Sequence, residues 1–428
     1  MANELTKTTP LSRGAGSGRP KFAFPMIRRG VVSYLRAGGW VLVPALLVLN
    51  AWWAWRDVRP VADLPEINNW LSQGRLPEAE WALRERIRRS PHDGAALSLL
   101  GRVLATRGDS LGCGRTLHQI PFWWPNKGTM LFMEGQAFKS IGRMADAETA
   151  WKDLTEFDPL HPMGDALVAK TVLEMLELYA LEERWEEAHR LIWKAYDHSD
   201  APDRPALLVM RMRTELERIE PATSVVKLRR FVAADPEDWD ARRALARAEQ
   251  ATGNDGDATR LILECLKSRP DDPRCWRDHF ELLYRQGDLE GLSRELARVP
   301  AAVADDPGIA RYRAIAQEKT GNWAGAAATY RLLIEKQGAN AELHFRLAAA
   351  EEQLGHRESA RNHREASRAI RAARGDLNQA FQAYMEAAGA ERPDSKVVAA
   401  AVGRLATLCV ALGWKREAEA WEQLASAG

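Results

Sequence analysis

The side chains in this sequence that could do chemistry are few and scattered. Cys113 and His118 share one short stretch, yet two ligands do not complete a tetrahedral zinc site. No C-x-x-C or C-x-x-C-H sequence marks a thioredoxin-like or haem-attachment site either. His356 and His363 stand two helical turns apart, too far for the compact ligand pair of H-E-x-x-H. Cys265 and Cys275 fall on neighbouring expected helices, where an oxidising compartment permits pairing; two separate buried thiols are the other reading. Glu182, Glu183, Glu186 and Glu187 flank Trp185 without the spacing of an acid-base pair, and read as solvation beside a packed indole. The sequence contains no G-x-x-x-x-G-K-[ST] loop, no G-x-G-x-x-G and no G-x-S-x-G elbow. No catalytic residue, metal or cofactor is therefore expected; an envelope hydrolase or transferase built on the same scaffold is the alternative.

Recognition chemistry is better represented. Arg243 and Arg247 stand four apart, Arg274 and Arg277 follow, and Arg311 and Arg346 lie farther along. Their forked donors suit the carboxylates of an acidic peptide. The competing reading is solvated arginines balanced by Asp240, Asp278 and Glu342. The stretch DSLGCGRTLHQIPFWWPNK, residues 109–127, carries glycines and prolines where a helix is due and reads as an irregular insertion. Its Phe122, Trp123 and Trp124 form either a hydrophobic plug against neighbouring helices or an exposed anchor for a partner.

The elements that position these residues repeat. In residues 128–161, Leu131, Gly135 and Phe138 share one face of a first helix; after Gly142, Ala147, Trp151 and Leu154 share one face of a second. Small Gly135 or Ala147 permits close approach, and Trp151 fills the space beside it. The arrangement returns over 239–272 with Ala246, Gly253, Ala258, Ile262 and Pro270. It returns again over 307–340 with Ala314, Gly321, Ala326 and Tyr330, and over 341–374 with Ala348, Gly355 and Ala360. Weaker copies include one carrying Leu292 in place of alanine and one in which Gly375 precedes Ala380, Tyr384 and Ala387. The expected fold is all-α, a solenoid of antiparallel helix pairs over 62–428.

These residues resemble tetratricopeptide repeats, in period and in their glycine, alanine and proline punctuation. The resemblance implies a right-handed superhelix whose first helices line a concave surface, and a holder of peptides or proteins. Some relatives grip a terminal carboxylate at first-helix positions; here those positions hold Arg243, Arg247, Asp278 and Arg346, so only the positive character is partly kept.

The N-terminal region is of another kind. Residues 1–36 are basic and lack an apolar period, which predicts a disordered tail. Residues 37–55, including WVLVPALLVLNAWWAW, are uncharged between Arg36 and Arg56 and roughly match a bilayer core of about 30 Å. Trp52, Trp53 and Trp55 suit the interface, and no small-residue cleavage site follows, so an uncleaved signal-anchor is expected, with residues 56–61 as a short linker. Seven Lys or Arg precede residue 37 against Glu4 alone. That asymmetry places the tail in the cytoplasm and the array across the membrane, which in a bacterium is the periplasm. A mitochondrial targeting segment is the eukaryotic counterpart of the same composition. The tail's charge leaves the rest of a chain with 60 basic and 59 acidic residues mildly acidic, which argues against nucleic acid as a partner. The expected function is a membrane-anchored, noncatalytic adaptor for protein partners.

Overall fold

The computed structural model describes residues 62–157, 166–200, 202–392 and 394–427. The expected tail (1–36), membrane span (37–55) and linker (56–61) lie outside the described residues. Among the described residues, no helix is long and apolar enough to cross a membrane. Residues Asp63–Gly428 form one compact unit.

Within it, helices alternate with short turns. The first are α1 (Leu64–Ser72), α2 (Leu76–Arg89), α3 (Gly94–Thr106), α4 (Ser110–His118), α5 (Lys127–Ser140) and α6 (Met144–Phe157). Then come α7 (Ala166–Leu181), α8 (Trp185–His198), α9 (Arg204–Leu216) and α10 (Pro221–Ala234). The series continues with α11 (Trp239–Ala251), α12 (Asp255–Ser268), α13 (Pro273–Arg285), the short α14 (Leu289–Leu296), α15 (Pro307–Lys319) and α16 (Trp323–Gln337). It ends in α17 (Ala341–Gln353), α18 (Arg357–Ala388), α19 (Ser395–Ala411) and α20 (Lys415–Ala427). Local chemistry sets many of these bounds. Asp93, Asp109, Asp238, Asp272, Asp288 and Asp306 each cap a helix by accepting from a backbone N–H of its first turn. Close approach of paired helices depends on small residues: a Cβ on Gly135 would lie 2.0 Å from the Trp151 indole nitrogen.

Two stretches differ from the expectation. Residues 109–127 are not irregular throughout, because α4 forms across Gly112 and Gly114. Gly114 is needed there, since a Cβ would lie 2.6 Å from the Phe138 ring, and the Asp109 carboxylate accepts from the Gly112 N–H at 2.8 Å. Only 119–126 interrupts the helices. Farther along, Gly375 does not open a new helix: α18 runs unbroken through it for 32 residues. A single interior glycine costs about 1 kcal/mol, and Leu377, Phe381 and Tyr384 beyond it are buried, which offsets that cost.

The end of the array also returns to its middle. The Arg416 guanidinium on α20 meets Asp197 at 2.7 Å and lies 4.3 Å from the Trp193 ring centroid, while Glu417 meets Arg211 on α9 at 2.8 Å. One apolar core therefore joins residues 131–212 to residues 370–421.

Candidate functional site

Residues 119–126 connect α4 to α5 and hold the three aromatics in different ways. Ile120 is buried and Trp124 is half-buried against Gly94, where a Cβ would come within 2.5 Å of the indole. Trp124 is thus the loop's own anchor. Phe122 and Trp123 remain 56% and 70% exposed. They border a cleft of 410 Å³ lined also by His118, Ile120, Lys127 and Asp153.

Two buried ionisable groups lie beneath this cleft. Lys127 is 3% exposed, with its Nζ 5.3 Å from the Phe122 ring centroid and 3.5 Å from the His118 carbonyl. Burial pulls its amine below the usual lysine range, partly offset by Glu134 and Asp153. Glu134 is 2% exposed; one carboxyl oxygen lies 2.9 Å from His118 Nδ1 and the other has no hydrogen-bond partner. Burial raises this carboxyl, against the pull of His118 and Lys127. The loop therefore stands on fixed polar contacts and buried side chains while presenting two aromatic rings to solvent.

A second cleft, of 480 Å³, lies between the α7–α8 turn, the middle of α11 and the start of α13. Of the sequence-predicted arginines, Arg243, Arg247, Arg274 and Arg277 line it; Arg311 and Arg346 do not. Arg243 donates to Asp278 at 2.8 Å and to the Glu182 carbonyl at 2.9 Å. Arg247 donates to the other Asp278 oxygen at 2.7 Å and pairs with Glu183 at 2.5 Å. Arg274 meets Asp272 and Asp240, both at 2.8 Å, and Arg277 stands 3.7 Å from Asp306, beyond hydrogen-bond distance. Arg311 pairs with Glu342 at 2.9 Å, and Arg346 reaches Glu318 at 3.0 Å and the Tyr284 hydroxyl at 2.6 Å. Most of these forks already hold a carboxylate of the chain itself, so a ligand carboxylate must compete with an internal one.

Sequence reasoning missed Glu183 and Arg184 in the lining of this groove and Glu182 buried beneath it. The available signal was an absent glycine. Glu183 adopts φ of 52°, whereas every other positive-φ residue among the described residues is glycine. Its backbone is held in a conformation costing about 1–3 kcal/mol, and its carboxylate is thereby directed at Arg247. Beside it, buried Arg184 donates to Glu148 at 2.7 and 2.9 Å and to Glu182 at 3.0 Å.

The chain matches no family model. No curated protein matches it either. Solved structures similar to it include a tetratricopeptide repeat protein from Parabacteroides merdae, 14% identical, covering 69% of this chain and 97% of that one with a TM-score of 0.28. The P58(IPK) TPR domain is 14% identical over 82% of this chain and 97% of its own, with a TM-score of 0.27. A human IFIT1 dimer with m7Gppp-AAAA is 14% identical over 82% and 94%, with a TM-score of 0.35.

The carboxylates around Arg184 make stability depend on pH. Burial, then the nearby Asp238, pushes Glu182 from 4.5 up to about 8, against the pull of Arg184. The folded chain thus keeps this proton where the unfolded chain has released it. The stability contributed by this one group is fully present below about pH 4.5 and is lost as pH rises toward about 8. Glu182→Gln, which never ionises, escapes that loss. Thermal melts should place it close to the parent at pH 5 and several degrees above it at pH 8.5; an equal offset at both values would show that Glu182 is ionised throughout.

Proposed function

We propose that this protein is a membrane-tethered adaptor that binds a protein partner through the aromatic loop at 119–126, with residues 37–55 as the tether. The observation that supports it is the pairing of exposure with rigidity at this loop. Phe122 and Trp123 stay in solvent although Trp124, Ile120 and Lys127 fix the segment beneath them. Exposing large rings is unfavourable unless something covers them, and a pre-ordered aromatic pair loses little side-chain freedom when it docks. The uncharged stretch between Arg36 and Arg56 supports the tether, and the basic residues before it support an array on the far side of the membrane.

The test is capture from gently solubilised native membranes with the full chain. Phe122→Ala combined with Trp123→Ala leaves Trp124 in place, so the loop keeps its anchor. We expect a stoichiometric partner to be retained by the parent and reduced at least about tenfold by the double variant, since two hot-spot residues carry about 2 kcal/mol or more each. Equal capture would move the interface off this loop. Recovery of the parent chain in the aqueous fraction before detergent is added would remove the tether.

A further inference from the structure

We propose that His344 and His363 form a binding site for a divalent transition-metal ion, bridging α17 and α18. The two helices are antiparallel neighbours joined by a tight turn at Gly355, and the histidines face each other across their seam. Their Nδ1 atoms are 3.0 Å apart, with ring centroids 5.2 Å apart and ring planes tilted by 41°.

That separation is the one a shared metal requires. Metal–imidazole bonds of about 2.0–2.1 Å, meeting at an angle between about 90° and 110°, put the two nitrogens about 2.9–3.4 Å apart. Two ring nitrogens at 3.0 Å hold either one shared proton or one ion. Small ring rotations exchange the first for the second, without moving the backbone.

The adjacent layer explains why the site is open. Seven residues along each helix, Glu351 and His356 face each other in turn, with His356 Nδ1 2.6 Å from the carboxylate, and Arg331 also pairs with Glu351. Glu351 is therefore committed elsewhere. Among the described residues no group of three or more histidine, cysteine or carboxylate ligands is placed to hold a metal, so water completes the coordination. Such a nitrogen pair takes Cu²⁺ ahead of Ni²⁺ and Zn²⁺.

Calorimetric titration of the full chain, purified without a histidine tag, with Cu²⁺ and Zn²⁺ near pH 7 tests this. We expect saturable one-to-one Zn²⁺ binding, tighter Cu²⁺ binding and a metal-dependent rise in melting temperature. His344→Gln and His363→Gln should each weaken binding at least about tenfold, in line with loss of a ligand, while His356→Gln should not. If the parent shows no saturable binding and no metal-dependent melting shift, or if both glutamine variants bind as the parent does, the site does not exist. Circular dichroism confirms that each variant compared is folded.

Discussion

Asp278→Ala is expected to destabilise the array by about 3–5 kcal/mol, the range for removing one partner from a buried ion pair. Asp278 is buried on α13 and accepts from both Arg243 and Arg247 on α11, the preceding unit's first helix. Burial pushes its carboxyl upward, but Arg247 and Arg243 outweigh this and hold it below the usual aspartate range. Removing it leaves Arg243, itself buried and with an unpartnered Nε, without its ion-pair partner. Arg247 suffers less because Glu183 still faces it. Urea unfolding with an unchanged m-value reads the effect directly. The pair Arg243→Met with Asp278→Leu should regain most of the loss, because apolar groups of similar volume replace a buried pair at little cost. A single-variant loss under about 1 kcal/mol would mean that water enters this junction and screens both charges.

The same junction shows which features the sequence made legible. The repeat period placed Arg243, Arg247, Arg274 and Arg277 on first helices, and Asp240 and Asp278 read as charges balancing solvated arginines; the pairs form, but the one between Arg243 and Asp278 is buried rather than solvated. Glu182 and Glu183 could not be found that way. They lie 61 and 64 residues before Arg243 and Arg247, and reach them only because the α7–α8 turn rises beside α11. His344 and His363 were hidden for a related reason. A search along one helix pairs His363 with His356, whereas antiparallel packing pairs it with His344. Residues 110–118 read as irregular because glycine disfavours a helix locally. Packing reversed that preference: Gly114 under Phe138, and Gly101 under Leu117, where a Cβ would come within 2.5 Å, are positions that larger residues could not fill. The return of α20 to α8 and α9 left no periodic trace, because its polar contacts are single pairs, Arg416 with Asp197 on α8 and Glu417 with Arg211 on α9.

Trp151→Ala should rival Asp278→Ala in cost, at about 3–5 kcal/mol, by a different mechanism. Trp151 is fully buried on α6, in the core that links the middle of the chain to its C-terminal helices. Its indole fills the space opposite Gly135. The indole Nε1 is buried without a hydrogen-bond partner, so the native state already bears a desolvation cost of about 1–3 kcal/mol. Two comparisons separate shape from polarity. Trp151→Phe removes the orphan donor along with part of the volume, and should lose distinctly less than alanine. Gly135→Ala keeps the tryptophan but drives a methyl into its nitrogen, and should cost about 1–3 kcal/mol through overpacking. Because this core also contains Trp421 and Leu405, the alanine variant should loosen the closure between α20 and α9. Amide exchange in α19 and α20 should then quicken along with that in α5 and α6. Exchange confined to α5 and α6 would show that the closing contacts hold without the shared core.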